Sequence, residues 1–438
     1  MSNNMFILFR MNYSKFISAV SARRKPSGIS DLQLLLTTPS PSMVWLASGI
    51  PNPKQFPFKK VSITLQDDRL LTLTPDMLCS ALQYGPTPGY TPLLKQLKAM
   101  TKLHHSPPKW EECDILVTAG CQQGLSIAFE MLLNPGDIVV VEDPCYSDVL
   151  CMLSAMSPQY LAIQVDEQGM KPDLLRAELT KAVKEEASGI PKVMYLVPNG
   201  SNPTGTTMSL ERRQALYDIA SDFDLIILED DPYYYFHYEQ EHQDPLPSFL
   251  SMDTDGRVLR FDSFSKIVSP GLRVGYVTGP SPLLERINVH LQANIICAPM
   301  LSQVLMSELL RDWGEDGFQK HIANLRQFYR DQRNNMVQAA QTHLTGLCEW
   351  TVPKGGIFLW LKVPNLQDTG PMLMKGAIKR EIILVPGKEF IVDCSKPCQY
   401  MRAAFSCATS DQLMKGMESL AKLIREELTV QNMQAMKP

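Results

Sequence analysis

The sequence predicts an α/β fold: a mostly parallel sheet of the seven-stranded type flanked by helices, with a smaller α+β domain at the C-terminal end. Three observations predict it. From about Cys113, short apolar runs alternate with helical periodicity. Several of those runs stop at a polar residue: Tyr146 follows the run 138–141, Asn202 the run 193–197, Asp230 the run 225–228 and Lys266 the run 258–261. After Pro299 the pattern becomes helical and then changes to short strands. Alternating βα units build open parallel sheets, and such sheets bind ligands beyond the carboxyl ends of their strands. These strand ends are therefore expected to form one ligand site.

The 438 residues are enough for two domains and a sizeable core. The sequence divides into an N-terminal arm at 1–45, a large domain at 46–300 and a small domain at 301–438. A hydrophobic fraction of 45% and a charged fraction of 20% are ordinary for a globular protein. The formal net charge of −4 gives no electrostatic reason to expect a nucleic-acid partner. Apolar runs are short and broken, so no membrane span is expected. The ten cysteines form no CxxC pair and, with the seven histidines, no zinc pattern. They read as free thiols in a reducing compartment.

The elements follow in order. Residues 1–30 carry Arg10, Lys15, Arg23, Arg24 and Lys25 and no acid before Asp31. That composition suits a mitochondrial targeting segment, or else a basic arm lying on a partner subunit. Gly49, in Gly-Ile-Pro-Asn-Pro, is a place where backbone could approach a ligand closely. Tyr84 sits in the turn-rich stretch Tyr-Gly-Pro-Thr-Pro-Gly-Tyr; a packed loop aromatic is its plain reading. The strand at 114–117 leads through Thr118-Ala-Gly-Cys-Gln-Gln-Gly into a helix. Such a turn presents free N–H groups and a positive dipole end to an anion, so Cys121 and Gln122 are candidates to cradle a phosphate. An ordinary βα turn is the alternative.

Asn202 stands immediately before Pro203 in a loop whose turn chemistry needs no second asparagine. Asp230 closes an apolar strand, where an unpartnered buried carboxylate is costly. Lys266 lies in Ser263-Phe-Ser-Lys266, between two strand ends, with Arg273 beyond. A lysine beside a cation and partly buried is favoured as the free amine, which is what attack on an aldehyde requires. In the small domain, strands are expected at 349–352, 357–362 and 382–385, with Arg402 on a further strand. A capping box of Thr409 and Gln412 opens the last helix.

Asn202-Pro-Thr-Gly205, Asp230-Asp-Pro-Tyr233, Ser263-Phe-Ser-Lys266, Gly271-Leu-Arg273 and Arg402 in Met-Arg-Ala-Ala-Phe-Ser stand in the order and spacing of one family. The chain resembles the fold-type I pyridoxal-phosphate (PLP) aminotransferases from about Met11 to Leu428. The resemblance implies that Lys266 forms the Schiff base with PLP and shuttles the substrate proton. It implies that Asp230 pairs with the pyridine nitrogen, that Tyr233 and Asn202 bond the ring's 3′ oxygen, and that Tyr146 stacks on the ring. Cys121, Gln122, Ser263, Ser265 and Arg273 would hold the phosphate. Tyr84 would reach the phosphate of a neighbouring subunit, implying a homodimer with shared sites. Arg402 would grip the substrate α-carboxylate, with Gly49, Tyr84 and Asn202 beside the substrate.

The amino donors so implied are kynurenine, 2-aminoadipate or related large amino acids, the acceptor is 2-oxoglutarate, and the compartment is the mitochondrial matrix, with the cytoplasm as the alternative. Three positions depart from the family pattern. Cys121 stands where a serine is common, which keeps a backbone contact and loses a hydroxyl. Ser30 stands where an arginine contacts the substrate side chain, and Ser48 replaces the first of a glycine pair. Arg23 or Arg24 would have to supply the missing cation. Two other functions fit the same cofactor residues: a β-eliminating lyase, and a non-enzymatic PLP-fold sensor.

Overall fold

The computed structural model describes residues 11–28, 49–185, 189–238, 246–376 and 378–435. Most of the expected arm, with Ser30 and Ser48, lies outside the described residues. In chain order the strands are β1 (Ser62–Thr64), β2 (Leu70–Thr72), β3 (Cys113–Thr118), β4 (Ile138–Asp143), β5 (Gln159–Asp166), β6 (Gly169–Met170) and β7 (Val193–Leu196). They continue with β8 (Ile226–Asp230), β9 (Val258–Ser263), β10 (Gly275–Pro280), β11 (Glu349–Trp350), β12 (Phe358–Lys362), β13 (Val385–Pro386) and β14 (Tyr400–Ala404). The chain divides into two compact units.

The first unit takes the described residues through Asp137, with Ala220–Pro232 and Pro247–Phe318. Its sheet strands run in the order β3-β10-β9-β8. β8 and β9 are parallel, whereas β10 is antiparallel to both β9 and β3. The antiparallel strand follows from the short Lys266 turn, because a parallel return needs a long crossover. β8, β9 and β10 are buried throughout, as expected of strands covered on both faces.

The register sorts the two faces. Phe261 pairs with Val277 and points one way; Asp262 pairs with Tyr276 and points the other. The helix Cys121–Leu132 packs on the first face through Gly124, where a Cβ would stand 2.8 Å from Val277 Cγ2 and 3.1 Å from Phe261 Cδ1. The helix Thr91–His105 serves the second face, where Arg260 lies near enough for its charge to act on His105.

The basic stretch near the N-terminus packs on its own chain. Phe16 is buried. Ser18 N donates to Met131 O (2.7 Å), the Tyr13 hydroxyl donates to Gly256 O (2.8 Å), and Arg24 pairs with Glu130 (2.7 Å). Arg24 is therefore engaged at the end of the Cys121–Leu132 helix.

The second unit takes Ile138–Ile219, the described part of Tyr233–Leu246, and the described residues from Gln319 onward. β4 lies between β5 and β7, parallel to both, and β6 adds antiparallel to β5. A separate antiparallel sheet has the order β11-β12-β14-β13. The expected strand at 382–385 reduces to Val385–Pro386, and the one at 349–352 to Glu349–Trp350. The helical stretch that starts at Met300 is interrupted at Gly314, a first-unit residue (φ 57°, ψ −170°), in a conformation glycine tolerates. The closing helix opens on its capping box: Thr409 N donates to Gln412 Oε1 (2.9 Å) and Gln412 N to Thr409 Oγ1 (3.2 Å). Its Leu413, Met417, Leu420 and Ile424 are buried.

Candidate active site

In the first unit the strand ends meet at Gly275. This residue pairs with Thr118 at the end of β3 and with Ser263 at the end of β9. A Cβ there would stand 2.7 Å from Cys121 N, so the start of β10 touches the helix N-terminus. The helix begins after Gly120 (φ +81°) and has no side-chain cap. Its first N–H groups are thus left to solvent or a ligand.

Arg273, at φ +53°, brings its guanidinium to the same place. Nη2 donates to Ala119 O (3.2 Å) and Nη1 to Ser265 Oγ (3.5 Å). A Cβ on Gly120 would lie 2.5 Å from Arg273 Nη2. Ser265 N donates to Ser263 Oγ (3.1 Å). The excursion carrying the half-buried Lys266 is closed at its base by Phe264 N donating to Val274 O (3.1 Å). Asp230 is buried at the end of β8, paired in register with Phe261. Cys121, Ser263, Ser265 and Arg273 therefore come together, with Asp230 near enough for its charge to act on the Cys121 thiol. Burial pushes that thiol well above its ordinary value; Asp230 and Asp262 push the same way, and a hydrogen bond with Ser263 opposes them. Cys121 is a neutral thiol at neutral pH, so it is no nucleophile. Gln122 is exposed.

Tyr84 and Gly49 are exposed. Tyr84 is 57% exposed, and a Cβ on Gly49 would meet nothing within 4 Å. Gln83 Nε2 donates to Pro51 O (2.9 Å), tying their two segments together.

In the second unit Arg402 lies on β14, opposite Trp360. Its Nη1 donates to Asn202 Oδ1 (2.7 Å), and its Cζ stands 4.3 Å and 4.9 Å from the ring centroids of Phe358 and Phe390. Burial pushes the guanidinium below the usual arginine value, while Tyr233, Tyr146 and Asp148 pull it back up; it remains charged. Its buried Nε has no acceptor, and among the described residues Arg402 forms no ion pair. The Tyr146 hydroxyl donates to Asp148 Oδ2 (2.6 Å).

The loop bearing Asn202 is held by backbone contacts. Gly205 N donates to Ser201 O (2.7 Å) and Ser201 N to Thr206 O (2.9 Å). Fully buried Arg213 donates to Asn199 Oδ1 (2.7 Å) and Met208 O (3.2 Å). Beneath it, buried Glu142 accepts from Met170 N and Val197 N, both at 3.2 Å. Neither Arg213 nor Glu142 was legible as a support; a charged residue in a helix or strand otherwise reads as solvated.

The sequence pattern of class I and II aminotransferases matches residues 42–420. The chain belongs to that family. It is 42% identical over 428 residues to the kynurenine/alpha-aminoadipate aminotransferase, mitochondrial, of Bos taurus, covering 95% of this chain and all of that one. The protein of the same name from Mus musculus is 41% identical with the same coverage. Among solved structures, aminotransferase Aro8 from Candida albicans superposes with a TM-score of 0.85 at 27% identity, covering 96% of this chain and 99% of that one. Pyrococcus horikoshii kynurenine aminotransferase gives 0.75 at 33% identity, covering 95% and 98%. The fold-type I architecture expected from the motifs is thus the observed one, and this aminotransferase is a PLP enzyme.

The residues present fit that cofactor. Uncapped helix N–H groups, a guanidinium and two serine hydroxyls suit a phosphate dianion. A buried carboxylate at a neighbouring strand end suits a protonated ring nitrogen.

Two predictions follow from this chemistry. Cys121→Ser supplies the hydroxyl that the thiol replaces, so PLP release should slow by a fewfold, the scale of one hydrogen bond of about 1 kcal/mol; release at or above the wild-type rate would refute a side-chain contact with the phosphate there. Burial pushes Glu142 up to about 7. The folded state therefore prefers the neutral acid. This stability is fully present below the ordinary carboxylate range and is lost as pH rises to about 7, roughly 3 kcal/mol in all. Glu142→Gln mimics the neutral acid, and its denaturation midpoints should lack that fall between mildly acidic and neutral pH; an undiminished fall would assign it to another group.

Proposed function

We propose that this aminotransferase moves the amino group of kynurenine, 2-aminoadipate or a related large amino acid to 2-oxoglutarate, giving the 2-oxo acid and glutamate. The observation that carries the reading is Arg402. A guanidinium drawn partly out of water needs a charged or hydrogen-bonding partner, and this half-buried one has an unused, buried Nε and no anion among the described residues. A substrate α-carboxylate supplies the anion and accepts two parallel N–H bonds. The names of the Bos taurus, Mus musculus and Pyrococcus horikoshii proteins support the choice of donor.

When bound, PLP supplies an electron sink for the substrate carbanion, which no side chain provides. Lys266 Nζ would hold the cofactor through its aldehyde carbon and, as a free amine, would be the base that takes up the substrate Cα proton. Asp230 keeps the ring nitrogen protonated. Asn202, whose Oδ1 is occupied by Arg402, has its Nδ2 left to donate to the ring's 3′ oxygen, with the Tyr233 hydroxyl as second donor. Tyr146 covers the ring face. The N–H groups at Cys121 and Gln122, with Ser263, Ser265 and Arg273, hold the phosphate. Gly49 borders the substrate without a side chain to obstruct it.

The assembly is a homodimer in which Tyr84 reaches the partner's phosphate and substrate. Exposed apolar residues of the first unit, among them Phe58, Leu70 and Tyr84, support a covered surface there. The compartment is the mitochondrial matrix, supported by the relatives' names. Cleavage of a leader would fall upstream of Tyr13, because the stretch that follows is packed.

The deciding measurement is the visible spectrum of the PLP-loaded protein on adding single amino acids without any oxo acid. Kynurenine or 2-aminoadipate should bleach the band, and Arg402→Lys should lose about a hundredfold in kcat/KM while retaining the cofactor. A band that none of the donors bleaches, or release of pyruvate and ammonia, would overturn the transamination reading. The assembly and compartment are checked on native protein: a single-chain sedimentation mass would remove the shared site, and recovery from cytosol alone would remove the matrix.

A further inference from the structure

Behind Asp230 and Lys266, on the opposite face of the first unit's sheet, lies a buried charge cluster with no part in the chemistry above. The parallel register places Glu229 opposite Arg260. Asp231 N donates to Phe261 O (3.1 Å), which carries the register on and sets Asp231 beside Asp262. Side chains alternate along a strand. Glu229, Asp231, Arg260 and Asp262 therefore share one face, and Asp230, Phe261 and Ser263 share the other.

Arg260 is fully buried and reaches all three carboxylates. Its Nη1 lies 2.9 Å from Glu229 Oε1 and 2.9 Å from Asp231 Oδ2; its Nη2 lies 2.9 Å from Asp262 Oδ1, and its Nε donates to Asp262 Oδ2 at 3.0 Å. Glu229 also accepts from Phe249 N (2.9 Å) and Leu250 N (3.1 Å). Of the groups nearby, His105 is kept neutral by burial and by the Arg260 charge, and its Nδ1 bonds Ser248 Oγ (2.9 Å). It adds no second cation. Burial pushes Asp262 up, against the pull of Arg260.

One guanidinium against three buried carboxylates, with His104 near enough for its charge to act on Asp262, is a poor source of net stability, because desolvation offsets most of the attraction. Its placement is informative instead. Glu229 and Asp231 flank Asp230 in sequence, so a single guanidinium holds the backbone on both sides of the residue that faces the cofactor. Asp262 immediately precedes Ser263 and the turn bearing Lys266. We propose that Arg260 is a positioning residue: by gripping Glu229 and Asp231 on β8 and Asp262 on β9, it fixes Asp230 and the Ser263–Lys266 turn in one mutual geometry. The planar fork is what the task requires, since an ammonium is a point donor and cannot span three carboxylates.

The inference rests on the roles proposed above for Asp230 and Lys266. The test uses the PLP-loaded enzyme carrying Arg260→Lys, which keeps the charge and loses the fork, and Asp231→Asn, which keeps the shape and loses one grip. PLP release and visible circular dichroism are recorded well below the unfolding transition. Release should be about tenfold faster in each, the scale of removing a group that orients a ligating residue, and the dichroic band should weaken. Wild-type release and dichroism in both variants would overturn the clamp, even if both melt earlier, since earlier melting alone marks a structural ion cluster. If Arg260→Lys does not fold, Asp231→Asn decides. The underlying assignment fails separately: borohydride that leaves the cofactor non-covalent in the wild type refutes Lys266 before any variant is made.

Discussion

Gly275 is the position on which the cofactor half of the site depends. It is paired on both sides, with Thr118 and with Ser263, and it touches the first residue of a helix; a Cβ 2.7 Å from Cys121 N has nowhere to go. Because that one residue has no side chain, three chain segments distant in sequence share a small volume. The helix end contributes N–H groups, β9 contributes Ser263 and the lysine turn, and Arg273 lies two residues before Gly275. Even the left-handed backbone of Arg273 serves this approach, since it turns the guanidinium back toward Ala119 and Ser265.

Two arginines, Arg260 fully buried and Arg402 half-buried, show how differently the same group can be used. Arg260 is surrounded by more negative charge than it can neutralise, and its contacts are all internal. Arg402 has an amide and two aromatic rings, which orient the guanidinium without neutralising it. A cation with its partners supplied is part of a scaffold. A cation held in place and left without an anion is a receptor for one.

Most of the fold was legible because periodicity and strand-end residues carry the information for an alternating α/β chain. The strands at 138–141, 193–197 and 258–261 stand within a residue or two of their expected limits, and the Thr409 capping box bonds reciprocally as its spacing requires. The orientation of β10 depends on the short turn before it rather than on its own residues. The strand expected at 382–385 shrank because its residues carry no pattern distinguishing a bonded edge from an extended loop. For the site, the sequence supplied the residues to which the proposed cofactor and substrate roles are given. What they did not reveal was the support beneath. Arg260, Glu229, Asp231 and Asp262 read as charges near strand ends, and only the register shows that they face away from the ligand and toward one another. Arg213 and Glu142 are hidden for the same reason: their burial is tertiary. The basic stretch was legible as a charge pattern, while its docking on the Cys121–Leu132 helix was not.

The cysteines divide along the same line between surface and interior. All ten are free. Burial pushes Cys113 and Cys348 up to about 12 and raises Cys121 and Cys398 as well, so each stays protonated at neutral pH. Cys79, Cys151, Cys394 and Cys407 are exposed. Oxidants attack thiolates that they can reach, and the thiol beside the phosphate cradle is not one of them. Oxidative damage to this protein should therefore accumulate on its surface first, and a thiol-reactive label would report exposure long before it reported loss of the active site.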